Sequence, residues 1–205
     1  VGSRNEERPY CSRVCCATAI KNSIALKEKN SSMDVVILYR DIRTYGFLEK
    51  YYLKARRLGV RFIRYDPSIP PSMEKKGGTL HITCFDPSIM ETLSFTADLL
   101  ILSSAIIPED NQRLATLLKV PRTYDGFFLE AHMKLKPLDF ASDGMFLCGI
   151  AHGPKNIQET IIQAEGAVAR ALTLLCKDSI AVGGVVAHVE ADKCAACLTC
   201  VKVCP

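Results

Sequence analysis

The 205-residue chain is 48% hydrophobic and 23% charged with a formal net charge of +4, enough for one main domain of the usual roughly 100 to 200 residues plus a small appendage. No apolar run approaches the roughly 18 to 20 residues that cross a bilayer, and no basic and apolar leader opens the chain, so a soluble protein without a membrane span is expected. The densest basic stretch, Lys50 to Arg64, reads as the solvated face of a helix and the strand after it; with no recognisable nucleic-acid-binding module, nucleic acid is not expected as a partner.

In chain order, Arg13 to Asn30 carries Ala17, Ile20 and Ile24 at helical spacing and ends on Lys-Glu-Lys-Asn, which predicts a helix with cysteines at its entrance. Met33 to Tyr39 predicts a buried strand, Tyr45 to Leu58 a helix closed by Gly59, and Val60 to Tyr65 a second strand. Strand, helix and strand together are the unit of a parallel sheet. Pro67, Pro70 and Pro71 break this pattern, and beyond Gly77-Gly78 the segments Thr79 to Phe85 and Thr92 to Phe95 suit a small antiparallel meander. Ala97 to Ser103 reads as a buried strand, Asn111 to Leu118 as a short helix, and Pro121 to Asp143 as irregular. Met145 to Cys148 is expected to be a strand leading into Gly149, Asn156 to about Cys176 a long helix, and Val182 to Val189 a connecting strand, with a domain boundary near Lys177 to Ala181.

Ten cysteines suit either a secreted disulfide framework or thiolate ligands in a reducing compartment. Spacing favours the second, because seven of the ten lie in two tight groups, Cys11/Cys15/Cys16 and Cys194/Cys197/Cys200/Cys204. A cytoplasmic location follows from that chemistry. Cys194-x-x-Cys197-x-x-Cys200-x-x-x-Cys204-Pro205 is the ligand run of a bacterial-type ferredoxin. Three thiolates on one short loop hold one [4Fe-4S] cluster, and the fourth, before proline, ligates a second. Zinc is the alternative, but zinc pairs usually come as two separated Cys-x2-Cys knuckles. The opening at Val1 and the stop on Cys-Pro suggest a segment cut from a longer protein.

In Cys11-Ser-Arg-Val-Cys15-Cys16, adjacent cysteines point apart, which suits separate corners of a cubane better than one tetrahedral zinc. Packed helix thiols are an equal reading of the spacing, since free cysteine is among the most buried residues. Cys84, Cys148 and Cys176 lie in apolar surroundings and are expected in the core, and His81, His132, His152 and His188 show no ligand spacing. The Cys148-Gly149 strand end, the Gly153-Pro154 loop and the helix start at Lys155-Asn156-Ile157 form a strand-turn-helix whose free amides suit an anion or a flavin carbonyl.

Three stretches carry a resemblance: Val-Gly-Ser-Arg followed by Tyr-Cys-Ser-Arg-Val-Cys-Cys at the start; Asp125-Gly-Phe-Phe-Leu-Glu-Ala-His132 with Lys134-Leu-Lys-Pro137; and Gly144-Met-Phe-Leu-Cys-Gly-Ile-Ala-His-Gly-Pro-Lys-Asn-Ile157. Together they resemble the A-type subunit of heterodisulfide reductase, over nearly the whole chain. The resemblance implies a thioredoxin-reductase-like flavoprotein domain over residues 1–180 and the start of a ferredoxin domain over 181–205. It implies FAD and [4Fe-4S] clusters as cofactors, and as partners the other heterodisulfide reductase subunits, a hydrogenase or formate dehydrogenase module, and ferredoxin. In many members of that family the flavin splits electron pairs between two acceptors.

Carried over by residue, Cys11, Cys15 and Cys16 match three of four ligands of a cluster beside the flavin. Lys21 matches a lysine near the flavin N5, where positive charge stabilises reduced flavin. Gly149 and Ile150 match the segment along the ribityl chain, the backbone of Asn156 and Ile157 would face the pyrimidine end of the ring, and Pro154 and Lys155 of the same turn are expected among the cofactor-binding residues. Ile150 replaces the aspartate usual in thioredoxin reductases. No Gly-x-Gly-x-x-Gly is present, so no pyridine-nucleotide site is expected, and the glycine-rich grip on an FAD pyrophosphate is missing from these residues. The expected function is an electron relay between FAD and iron-sulfur clusters. The alternatives are an NAD(P)H-linked flavoprotein with a fused ferredoxin and a zinc-stabilised, non-enzymatic interaction module.

Overall fold

Helix α1, Cys15–Lys29, buries Cys16, Ile20, Ser23 and Ile24, which recur at helical spacing. Lys27 and Lys29 in its last turn complement the negative end of the helix dipole. The computed structural model describes residues 1–180 and 187–203.

Strand β1, Val36–Tyr39, lies parallel to β2, Arg61–Arg64, with Val36 opposite Arg61 and Tyr39 opposite Arg64. A crossover through α2, Glu49–Arg57, joins them. Gly59, at φ +84°, makes the turn from α2 into β2 in a conformation that costs glycine little. Ile20, Ile24, Ile37, Ala55 and Val60 form the core between α1, α2 and the strand pair, and Tyr52 meets Phe62 edge to face at 4.8 Å. The parallel unit expected from the sequence is present, with β1 starting at Val36 rather than Met33.

Residues 72–97 form an antiparallel sheet in the order β3-β4-β5, made of Ser72–Lys76, Thr79–Asp86 and Glu91–Ala97. Strand β3 is an addition to the elements expected from the sequence. Its Ser-Met-Glu-Lys-Lys is exposed throughout and carries no apolar alternation, so only its pairing with β4 across Gly77-Gly78 reveals it. Both glycines have positive φ, as a tight hairpin turn requires.

Two strand expectations fail. Ala97 ends β5, and residues 98–111 have no regular structure; Leu99, Ile101 and Leu102 are 73%, 64% and 78% exposed. Their apolar run signals burial, but among the described residues no neighbouring strand accepts their backbone bonds. Met145–Cys148 is not a strand either. One bridge joins Asp139 to Phe146, and Leu147 is buried as a plug in the second core with Ala115, Val120, Phe128 and Phe140.

Helix α3, Gln112–Leu118, matches expectation, as does the irregular run after Pro121. Helix α4, Ile157–Leu175, is tied to that run by Arg170, which donates to both carboxylate oxygens of Asp139 at 2.9 and 3.2 Å. The expected strand at Val182 to Val189 falls mainly on residues 181–186, outside the described residues; 187–190 have no regular structure. A short helix α5, Thr199–Val203, follows. Among the described residues no helix is long and apolar enough to cross a membrane. The protein is therefore mixed α/β, with one parallel and one antiparallel sheet.

Candidate metal centre

The first cysteine group sits where three backbone segments meet. Residues 1–4 run beside β1, with the Val1 nitrogen donating to the Leu38 carbonyl at 2.7 Å and the Arg40 amide to the Val1 carbonyl at 2.9 Å. Gly2 has φ +91°, and a Cβ there would stand 2.8 Å from Asp41 Oδ1, so only glycine fits. Arg4 pairs with Asp41, which also accepts from Arg43 Nε at 3.1 Å. Residues 1–4 and 40–43 thus clasp each other beside the entrance of α1.

Within that clasp the sulfurs collect amide hydrogens. The Arg13 amide donates to Cys11 Sγ and the Arg43 amide to Cys16 Sγ, each at 3.3 Å, and the Gly2 and Ser3 amides face Cys15. Cys15 and Cys16 are 5% and 4% exposed, whereas Cys11 is half-buried. Hydrogen bonding from Cys16, reinforced by the Gly2 and Ser3 amides and the Ser3 hydroxyl against the cost of burial, holds Cys15 well below the usual thiol range, and the same bond pushes Cys16 up. The pair therefore gives up a first proton easily and holds the second, as adjacent acids do.

Ser12, 1% exposed, braces the loop: its hydroxyl accepts from Ser3 Oγ and from the Ile106 amide, both at 3.0 Å. Tyr10 donates to the Ile106 carbonyl at 3.0 Å and stacks edge to face on Phe127. Arg13 stands in the left-handed region at φ +61°, a conformation costing a non-glycine residue on the order of 1–2 kcal/mol. The turn of the Cys11–Cys16 loop is thus fixed against its local preference by its surroundings.

The same loop touches the start of α4, a contact with no signal in the sequence. The Arg13 guanidinium pairs with one oxygen of Glu159 and reaches Tyr45 Oη at 3.2 Å. The other Glu159 oxygen accepts the Asn156 amide while Asn156 Oδ1 accepts the Glu159 amide, a reciprocal capping box. The Asn156 amide is therefore occupied, whereas the first-turn amides of Ile157 and Gln158 have no partner among the described residues.

Gly149, at φ +67°, is buried, and its amide donates to Gln163 Oε1 at 2.9 Å, so that amide is also occupied. Ile150 is half-exposed and Ile157 is 80% exposed. Pro154 is half-buried in the turn. Lys155 is buried, its ammonium 3.4 Å from the Gly153 carbonyl; burial and nearby Arg13 lower its pKa against Glu159 and Glu130. Lys21 is exposed, about 140° around α1 from Cys16 at 3.6 residues per turn, and has no polar partner among the described residues. Two surface grooves, of 590 Å³ along α3 and 360 Å³ between Glu7 and Asp125, include none of residues 149–157.

Cys194, Cys197 and Cys200 are exposed, Cys200 within α5, while Cys204 lies outside the described residues. The Thr199 hydroxyl, 3.3 Å away, and the Thr199 amide lower the pKa of Cys197, favouring thiolate. Of the three cysteines expected in the core, Cys84 is buried, Cys148 half-buried and Cys176 exposed. Cys176 follows the last turn of α4, where neighbouring Leu175 is also exposed, so apolar neighbours in sequence do not place it in the core.

Among the described residues no three His, Cys, Asp or Glu side chains converge as a single metal ion needs. Cys11, Cys15 and Cys16 each have amide donors at sulfur, and the buried Arg4 Nε has no partner among the described residues. Amide hydrogen bonds to sulfur are among the terms that set iron-sulfur potentials.

A braced, amide-lined cysteine group thus lies near the start of α4, in a mixed α/β chain with a second Cys-x2-Cys-x2-Cys run. No protein-family model matches the chain. Curated relatives match along its full length: the A-type subunit of the H2:CoB-CoM heterodisulfide,ferredoxin reductase of Methanothermobacter thermautotrophicus is 36% identical over 210 residues. The second A-type iron-sulfur subunit of CoB–CoM heterodisulfide reductase from Methanopyrus kandleri is 39% identical over 211, and the A-type subunit of the H2/formate:CoB-CoM heterodisulfide,ferredoxin reductase of Methanococcus maripaludis 37% over 211. Each match covers 100% of this chain and 32% of the relative. The chain is thus similar along its full length to heterodisulfide reductase A-type subunits and spans about a third of the length of the curated relatives it matches.

Proposed function

We propose that this chain is the part of an iron-sulfur flavoprotein subunit that passes electrons between FAD and [4Fe-4S] clusters within a heterodisulfide reductase complex. The observation carrying this reading is the contact of the Cys11–Cys16 loop with the first turn of α4 through Arg13 and Glu159, in a chain whose relatives are named as iron-sulfur subunits of that reductase. Residues 1–180 belong to a thioredoxin-reductase-like domain and 181–205 open a ferredoxin-like one. The partners are the remaining reductase subunits, a hydrogenase or formate dehydrogenase module, and ferredoxin, the last in keeping with the relatives' names.

Cys11, Cys15 and Cys16 hold one cluster. Cys194, Cys197 and Cys200 hold another, with Cys204 serving a third. Bound clusters carry single electrons and flavin links one- and two-electron steps. The chain's own residues set the conditions. Amides of Gly2, Ser3, Arg13 and Arg43 stabilise negative charge on the sulfurs, and burial of Cys15 and Cys16 keeps water from them. The Ile157 and Gln158 amides, at the positive end of α4, favour an anionic ring edge. Lys21 offers an exposed ammonium, and Gly149, Ile150, Pro154 and Lys155 shape the turn that leads into α4.

The test is iron, sulfide, zinc and flavin analysis of the full-length protein purified without oxygen, with EPR after dithionite reduction. Several cubanes and one FAD are expected. Cys11→Ala should lower iron and sulfide by one cluster's worth and leave the ferredoxin signals. Zinc without sulfide or flavin would overturn the reading.

A further inference from the structure

Glu159 does two tasks with its two oxygens: one closes the capping box of α4, the other pairs with Arg13. Arg13 belongs to the Cys11–Cys16 loop by its own amide, which donates to Cys11 Sγ. One residue thus touches a cysteine sulfur through its backbone and a distant helix through its side chain, 146 positions along the chain. The ion pair is partly open to solvent, with side chains 39% and 34% exposed. For stability such a pair contributes little. Its location between the cysteine loop and a helix start gives it another use.

We propose that Arg13 and Glu159 form a positioning pair that fixes the Cys11–Cys16 loop against α4, and that Glu159 sets how much of the Arg13 charge a cluster on those cysteines feels. The inference rests on the cluster assignment made above. Reduction adds one negative charge to a cluster, so an unopposed cation nearby stabilises the reduced form and raises its potential. In the native pair the Glu159 carboxylate offsets the guanidinium. Glu159→Gln removes that offset while leaving a residue that still serves the capping box, since glutamine fills the same position. Arg13→Gln removes the cation and leaves the carboxylate.

The two substitutions therefore move the potential in opposite directions, which a simple loosening of the loop would not do. The experiment is an EPR-monitored redox titration of the full-length protein and of each variant, with iron and sulfide measured on the same samples and helix content followed by circular dichroism. Glu159→Gln is expected to raise the potential of the cluster that Cys11→Ala deletes, and Arg13→Gln to lower it. Each shift should change the reduced-to-oxidised ratio at fixed potential roughly threefold, ~30 mV given 59 mV per tenfold for a one-electron couple. Shifts in the same direction, or none in two fully loaded variants, would overturn the pair's electrostatic role. A full-length wild-type protein lacking that cluster would instead overturn the assignment beneath it.

Discussion

Glu130 and His152 are neighbours that only folding creates: Glu130 Oε2 and His152 Nε2 lie 2.8 Å apart, and His152 Nδ1 faces Gln163 at 3.1 Å. Burial alone would raise the Glu130 pKa, but its own amide, the His152 contact and nearby Lys155 outweigh burial and lower it. A carboxylate held below its unfolded value of roughly 4.3 contributes stability above that pH and loses it as pH falls through the lower folded value. Glu130→Gln is therefore expected to be less stable than the parent near neutrality and to show a shallower loss below about pH 4.3, read from urea unfolding across pH 2 to 7. The sequence shows no sign of the pair, since Glu130 stands out there only as one position of the Asp125–His132 stretch. His152 has no ligand spacing in one dimension, and its partner becomes visible only in three.

At the scale of elements, α1 joins the core to the cysteine loop. Its N-terminus begins at Cys15 with no side-chain cap, and its buried face continues from Cys16 to Ile20 and Ile24. Packing of that face against Ile37, Ala55 and Val60 holds the helix, and with it the two buried sulfurs. Ile20 is 1% exposed, so Ile20→Ala should cost about 2–5 kcal/mol of stability and lower cluster occupancy by freeing the start of α1. Chemical denaturation and iron content on the same preparation check both. This helix, α2, the parallel strand pair and α4 are legible in the sequence because their apolar positions and their bounding polar or glycine residues are marked locally. Strand β3 is not, since an exposed edge strand of polar residues has no hydrophobic signature, and Met145–Cys148 reads as a strand because four mainly apolar residues do not reveal whether a partner strand exists.

For the whole molecule, the exposed apolar residues dominate its behaviour in water. Leu99, Ile101 and Leu102 in the irregular segment and Ile157, Val168 and Leu175 on α4 stand open to solvent in this chain, which is about a third as long as its relatives. The isolated 205 residues are expected to self-associate and bind hydrophobic dyes. Ile101→Lys with Leu102→Glu should suppress both without lowering the unfolding midpoint, as seen by light scattering and dye fluorescence. The sequence by itself determined the α/β character, the cysteine groups and the resemblance to the A-type subunit of heterodisulfide reductase, because periodicity and ligand spacing are local and survive in one dimension. Only the tertiary structure decided that Arg13 meets Glu159, that the Gly149 and Asn156 amides are already bonded within the chain, and that the run after Ala97 stays unburied. Those outcomes depend on which distant backbone or side chain reaches a donor, and no local pattern encodes an encounter across 146 positions.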